Sequence, residues 1–537
     1  MKYDVIVVGA GAAGLTAAAY AARAGRSVAL IEKQQKLGGL VQSVNRGGFV
    51  FDMGLRAIEN SGIILPMVAE LGLPLRYVRS RVSVGIAERI ITIDSGASLV
   101  EYGRLLESFF PESSRDIQAI LDVIRKIMKN MDVLYGIDNP LFKDLAHDYR
   151  YVFRTLLPWS LKFLVTIGRI NRLNAPVETF LQSLTSNAAL RSMIGQHFFR
   201  YTPTFFAMSY FSVYLDYFYP NGGTGTLMEL LADYCATRGV EVRTGCSVRQ
   251  VEPTTKTVTG DDGTIYEYEA LVWAADLTTL FRSVDTSRLA DMKTKEAVRL
   301  RRSELEGAAS GDSVFSIFLS VDESPEYFRQ RSEGHFFYTP NSLGLGELHT
   351  RGLESLLARY DKMDDSVHEV KEYLRNLISL TTFEISIPVL KDPALAPSGK
   401  TGLIISWLLD YRLVKRVQDD GWYDELKEFC MSETVQVLSD RVYPGLAERI
   451  VDRFASTPVS IENSTGNTGG AITGWAFGPG PVPVVHEMQH VAKSVLTPMT
   501  DIYQAGQWTY SPSGLPIAIL TGKLAANRAV KGVPAPR

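Results

Sequence analysis

Gly9, Gly11 and Gly14 form the pattern G-x-G-x-x-G, directly after the apolar residues 3–8 and at the mouth of residues 12–23, which are rich in strong helix formers. Each glycine meets one requirement of a bound nucleotide diphosphate. Gly9 permits the tight turn, Gly11 lets a pyrophosphate approach the backbone, Gly14 lets helix and strand pack closely, and the helix N-terminus faces the anion. Glu32 stands 18 residues past Gly14, at the end of the apolar residues 27–31. A carboxylate there accepts hydrogen bonds from both ribose hydroxyls of an adenosine and repels a 2′-phosphate. The other glycine clusters, at residues 222–226, 466–470 and 478–481, do not follow a strand and open a βαβ unit, so no nicotinamide domain is expected beside the first site.

Three further segments carry residue types suited to chemistry. His486-Glu487-Met488-Gln489-His490 spells H-E-x-x-H, which on a helix sets two imidazoles one turn apart around zinc with the glutamate as base. Prolines crowd residues 478–483 just upstream and no third ligand helix follows, so this segment is read as a surface helix or loop and no metal is expected. Residues 198–219 hold eleven Phe or Tyr in 22 positions. That density suits the wall of a long apolar tunnel for a polyene or isoprenoid chain, with an ordinary buried helix or strand pair as the alternative. Residues 150–172 carry Arg150, Arg154, Lys162, Arg169 and Arg172, no acid, and Trp159 among large apolar groups. Such a segment suits an anionic bilayer surface, with Pro158 breaking it into two short helices; a helical cap with a solvated basic face is the alternative.

The elements that must position these residues follow from periodicity. The first thirty-odd residues read strand, helix, strand, which begins a parallel sheet. Residues 103–215 are mostly helical, with an amphipathic helix over residues 113–131. After the turn at residues 220–226 and its helix come strands at 240–243 and 247–251, and two more within 264–275. Strand-like residues 313–321 and 402–408, with helices at 366–377 and 422–440, point to a second mixed sheet. A short strand at 502–505 and a helix at 515–530 close the chain. Of 537 residues, 46% are hydrophobic and 21% charged, and 56 Lys and Arg face 59 Asp and Glu, a balance that offers no global field for nucleic acid. Three cysteines without metal or disulfide spacing, and a start that lacks a basic, apolar leader, lead to the expectation of a cytoplasmic protein.

Residues 31–33 and 37–39, then Gly48-Phe49-Val50-Phe51-Asp52-Met53-Gly54, resemble the N-terminal signature of flavoproteins related to phytoene desaturase, carotenoid isomerase and retinol saturase, cousins of the amine and protoporphyrinogen oxidases. The resemblance continues in Asn221-Gly222-Gly223 with Val248, in residues 392–397, in Thr465-Gly466-Asn467 with residues 470–472, and in Ala505-Gly506-Gln507 with Ser513-Gly514. It implies an α/β fold in which a Rossmann-like FAD-binding domain, residues 1–75, 218–300 and 484–537, is interleaved with a mixed α+β substrate domain, residues 76–217 and 301–483, whose residues 103–215 form a helical cap. It implies FAD held by Gly9, Gly11, Ala13, Gly14, Glu32, Lys33, Gly38, Gly39, Leu40, Gly54, Leu55, Val248, Gly506, Gln507, Gly514 and Leu515. Three departures separate the chain from the amine and porphyrinogen oxidases: Leu40 replaces an arginine after the Gly-Gly pair, Pro512 replaces an aromatic before Ser-Gly, and Gln507 replaces an acid after Ala-Gly.

The function expected is desaturation of a long hydrophobic isoprenoid, carotenoid or retinoid in type. Saturation or redox-neutral isomerisation of a polyene is the alternative. Amine or porphyrinogen oxidation, and a flavin-bearing lipid-binding protein without catalysis, stand further off. Arg56 and Glu59 follow the Phe-Asp-x-Gly signature and, with Tyr510, are the candidates for steering charge or protons. Phe205, Phe206, Tyr210, Trp475 and Trp508 are the candidates for shaping the substrate pocket. The expected partners are a hydrophobic small molecule, an electron acceptor such as oxygen, a quinone or a carrier protein, and a peripheral membrane surface.

Overall fold

Val5 to Val8 and Val28 to Ile31 are unbroken apolar runs whose side chains are buried on both faces, the composition of parallel strands covered by helices. In the computed structural model, which describes residues 1–289, 291–363, 365–478 and 482–533, they pair in parallel at the centre of a seven-stranded sheet. Its order is Glu241–Arg243, Val28–Ile31, Lys2–Val8, Ile265–Trp273, Thr257–Gly260 and Val248–Glu252, with Ile502–Gln504 also pairing in parallel with Ile265–Trp273. The opening helix, Ala12–Arg23, covers one face together with the closing helix, Leu515–Gly532, through small alanine and glycine side chains. A Cβ on Gly522 would lie 2.4 Å from the Ala13 carbonyl oxygen, so these two helices touch backbone to backbone.

The second sheet is also seven-stranded, in the order Ile450–Ser456, Val314–Val321, Thr401–Leu408, Phe383–Ser386, His335–Thr339, Val82–Ile86 and Arg89–Ile93. All its neighbours are antiparallel except His335–Thr339 against Val82–Ile86. One face packs on helices Ser366–Leu380 and Tyr423–Arg441, and the other faces the first sheet. A helical layer including Ser114–Leu134 and Thr204–Asp216 closes the side.

Buried Asp52 joins the first sheet's loops to the turn at residues 220–226. Its carboxylate accepts from Ser43 Oγ at 2.7 Å, Thr224 N at 2.8 Å, Thr224 Oγ1 at 3.0 Å and Tyr219 OH at 2.6 Å. Asp392 accepts from Gly222 N at 2.8 Å, so three separate signatures in the sequence meet at one turn.

Two expectations are corrected. Residues 264–275 form one strand, Ile265–Trp273, because Tyr266, Tyr268 and Ala270 onward keep one register from the edge strand into the parallel core. Pro158 does not break the basic segment. Tyr149–Tyr151, Val152–Leu156 and Leu157–Ile170 run on as α, π and α helix, and the π turn just upstream absorbs the steric conflict of the proline ring. Of the prolines at 478–483, residues 479–481 lie outside the described residues. Cys235, Cys246 and Cys430 are buried free thiols.

Candidate active site

A cavity of about 590 Å³ takes one end from the C-terminal ends of the strands Lys2–Val8, Val28–Ile31 and Ile265–Trp273, and the other from the inner face of the second sheet. Ligands of open parallel sheets collect at such strand ends. Two helix N-termini open onto it. Gly11 and Gly514 are the N-caps of the opening and closing helices; neither supplies a side-chain cap, and neither first turn carries an acid. The leading N–H groups of both are therefore available to a ligand's oxygens, and both dipoles favour negative charge.

The wall at the strand end fits a dinucleotide residue by residue. A Cβ on Gly11 would meet nothing nearer than Gly39 Cα at 4.0 Å, so this backbone is open to close approach. Gly9 has φ +95°, which an L side chain resists, and a Cβ on Gly14 would sit 1.8 Å from the Gly9 carbonyl oxygen. Gly14 is therefore a packing position and does not itself line the cavity. Glu32 accepts from Ala10 N at 2.6 Å and Gln34 N at 2.9 Å, which holds its carboxylate at the cavity edge with lone pairs to spare. Ala13, Lys33, Gly38, Gly39, Leu40, Gly54, Leu55, Val248, Gly506, Gln507, Gly514 and Leu515 line the same cavity. Ser513 Oγ, buried in its wall, has no hydrogen-bond partner. An orphaned hydroxyl beside an uncapped helix end is what a site awaiting a polar ligand leaves behind.

A family model described as flavin containing amine oxidoreductase matches residues 12–530. The chain belongs to that family. A flavin, FAD, is its cofactor, and the cradle just described accommodates one. The chain is 23% identical to an all-trans-retinol 13,14-reductase of Danio rerio, over 94% of this chain and 82% of the relative. It is 23% identical to a 4,4'-diapophytoene desaturase of Staphylococcus aureus, over 98% of this chain and 99% of the relative. Among solved structures it resembles a putrescine oxidase redesigned in cofactor binding, with TM-score 0.61, 15% identity and 99% of each chain covered. An oxidoreductase of Methanosarcina mazei aligns with TM-score 0.58 and 14% identity over 97% of this chain and 99% of that one.

At the other end the oxidoreductase's cavity turns aromatic. Phe198, Phe199, Phe206, Tyr210, Tyr217 and Phe337 form the wall, and Trp508 joins it with Nε1 donating to Asn467 Oδ1 at 3.1 Å. Phe206 and Tyr210 stand one turn apart on the helix Thr204–Asp216, whereas Phe205 points to the packed side of the layer and lines nothing. Trp475 also stays out of the wall. Its indole donates to the Trp508 carbonyl at 3.0 Å and packs edge-on to Trp508, supporting that ring from behind.

Of the three candidates for proton chemistry, Glu59 and Arg56 line the cavity and Tyr510 does not. The Tyr510 hydroxyl donates to the His486 carbonyl at 3.4 Å, and burial pushes the phenol's pKa well up. Glu59 ends the two-residue strand Ile58–Glu59, beside Gly514. Burial, with the Asp216 carboxylate adding to it, pushes the Glu59 carboxyl up to about 7. The two terminal nitrogens of Arg56 are held by the protein, donating to the Asp52 carbonyl, to Ser406 Oγ at 2.7 Å and to Ser316 Oγ at 3.3 Å, while its Nε is buried without a partner among the described residues.

Two cavity residues escaped the sequence reading. His335 and Glu384 lie in neighbouring strands of the second sheet, with Nε2 of the imidazole 3.0 Å from Glu384 Oε1. The signal was there in principle, as a histidine and a glutamate beside buried phenylalanines in the short strands HFFYT and FEIS. His486 and His490 do not form the zinc helix. The helical turn begins only at Met488 and is 3-10, and His490 Nδ1 pairs with Glu487 at 2.8 Å.

Proposed function

We propose that this FAD-dependent oxidoreductase acts on carbon–carbon bonds of a long hydrophobic isoprenoid of carotenoid or retinoid type, with desaturation the leading reaction. The observation that carries the reading is the aromatic wall of Phe198, Phe199, Phe206, Tyr210, Tyr217 and Phe337, flat rigid surface suited to a polyene. The names of the Danio rerio and Staphylococcus aureus relatives, a retinol reductase and a diapophytoene desaturase, support it. Bound FAD supplies the redox chemistry at carbon. The chain's own part is to hold the allylic carbon still, exclude water and handle the proton, for which Glu59 is suited. A Glu59 carboxyl still protonated near pH 7 equally serves proton delivery, which keeps saturation as the second reading. The acceptor of electrons in this reading is oxygen, a quinone or a carrier protein. The test is anaerobic mixing of the purified protein with a lipid extract, followed by mass analysis. A product lighter by a pair of hydrogens is expected from the oxidised protein; a pair gained after the flavin has been reduced with dithionite supports the second reading, and an extract unreacted with either form rejects both.

The same reading includes a peripheral membrane surface from which such a substrate is taken. Among the described residues no helix is long and apolar enough to cross a membrane. In the helical run from Tyr149 to Ile170, however, Phe153, Leu157, Leu161 and Leu164 are 65%, 58%, 69% and 67% exposed, a stripe three or four residues apart left largely open. Arg150, Arg154, Lys162 and Arg169 flank it without an acid between, complementary to anionic headgroups. Co-sedimentation with anionic liposomes at low salt is expected, lost at high salt. Replacing Leu161 and Leu164 together by serine should weaken it by about tenfold or more. Absence of binding at low salt rejects this part of the reading.

A further inference from the structure

Glu384 offers the cavity carboxylate lone pairs that nothing in the protein uses, and the buried His335 holds that carboxylate in place. His335 pairs in register with Ser386 and Phe337 with Glu384, so the imidazole and the carboxylate are diagonal neighbours on one sheet face. The imidazole Nε2 donates to Glu384 Oε1 at 3.0 Å, which leaves Nδ1 as a lone-pair acceptor, buried and without a partner. Tyr217 stacks on the ring at 5.4 Å between centroids and 15° between planes, fixing its orientation. Glu384 has no hydrogen-bond partner but His335 among the described residues, and 36% of its side-chain surface is free where it stands in the cavity wall. Burial pushes its carboxyl up, but the His335 hydrogen bond and the charges of Arg56 and Lys391 outweigh that and keep it ionised.

Arg56 Nε and Trp407 Nε1 are buried donors in the same cavity without a partner among the described residues, whereas other polar groups nearby are held by the protein. Gln196 Nε2 donates to the Leu380 carbonyl at 2.9 Å and to Thr382 Oγ1 at 3.0 Å, and Lys391 Nζ donates to the Arg56 carbonyl at 2.7 Å and Ser386 Oγ at 2.8 Å. Leaving a buried acceptor unmet costs about 1–3 kcal/mol, more for a charged one, so a cavity built for a pure hydrocarbon has no use for this pair. A ligand group that meets Glu384 must be a donor. A carboxylate would face Glu384, and on the isoprenoid reading the donor that ends an apolar chain is a hydroxyl. A neutral hydroxyl fits.

We propose that Glu384, held in place by His335, binds the hydroxyl end of an isoprenoid alcohol, the polar terminus of a substrate whose chain lies along the aromatic wall. This rests on the isoprenoid reading of the cavity and narrows it to an amphipathic class. The test is quenching of tryptophan fluorescence in the flavin-loaded protein, since Trp407 and Trp508 line the cavity, on titration with all-trans-farnesol and with the hydrocarbon β-farnesene. The wild type is expected to bind the alcohol about tenfold or more tightly than the hydrocarbon. Glu384→Gln should erase most of that preference by weakening farnesol while leaving β-farnesene unchanged. His335→Phe, which keeps a ring against Tyr217, should do the same and reports independently if Glu384→Gln does not fold. Equal affinity of the two probes in the wild type overturns this inference and leaves the isoprenoid reading standing, and so does a variant that weakens both probes alike. Loss of flavin from a folded Glu384→Gln protein also overturns it, because the pair would then serve the cofactor. Failure of both probes to bind overturns the isoprenoid reading and this inference with it.

Discussion

Gly11→Val should yield a folded protein without colour. A Cβ at this position meets nothing but Gly39 Cα at 4.0 Å, so the added methyl groups fill space that the protein leaves open and the cofactor needs. The opening strand, the opening helix and their packing through Gly14 are untouched. The diphosphate must approach that backbone, and displacing it by a methyl group's radius removes several charge-assisted contacts at once. A loss of FAD affinity of about a hundredfold or more is expected. Gly14→Val makes the contrast. Its Cβ would sit 1.8 Å from the Gly9 carbonyl, so helix and strand would be pried apart and the fold itself would suffer. Flavin content by absorbance, together with the melting temperature of both variants, checks the pair. A Gly11→Val protein that keeps stoichiometric flavin contradicts the assignment of the cradle.

Glu59→Gln should flatten the pH dependence of stability around neutrality. The Glu59 carboxyl rises from 4.5 to about 7 on folding, through burial first and Asp216 second. Below pH 4.5 both folded and unfolded chains carry the proton, and Glu59 has no effect. As pH rises from 4.5 to 7 the unfolded chain releases its proton while the folded one holds it, so stability falls through this window and levels off above it. At 1.36 kcal/mol per unit the penalty approaches about 3 kcal/mol. Glutamine mimics the protonated acid, so the variant should be more stable than the parent above pH 7 by that order and equal to it in acid. Urea titrations across this range measure it. A variant less stable than the parent above pH 7 would show that Glu59 is held as a wanted anion, against the proton-handling role.

The nucleotide end of the site was legible because its chemistry is local. Gly9, Gly11, Gly14 and Glu32 fall within one βαβ unit, and the strand and helix that carry them follow from an apolar run, a glycine turn and an alanine-rich segment. Asp52, Thr224 and Asp392 were visible as separate signatures, but their meeting at one turn depends on contacts across 170 residues or so, which spacing does not encode. The aromatic run announced a wall without saying which rings face it. Helical periodicity turns Phe206 and Tyr210 inward and Phe205 away, and that face is chosen by the neighbouring layer. His335 and Glu384 were missed for the same reason: 49 residues separate them, and only the register of two strands brings them together. Tyr510 and Trp475 sit two residues from the cavity residues Trp508 and Thr473, yet their side chains turn back into the protein to find hydrogen-bond partners.

The visible spectrum of the purified protein, recorded before and after anaerobic addition of an isoprenoid-rich lipid extract, tests the central claim most directly. A yellow protein with stoichiometric flavin, whose absorption changes as the extract's double-bond content changes, is the predicted result. Protein that stays colourless after reconstitution with FAD, or a flavin spectrum indifferent to every isoprenoid offered, would contradict it.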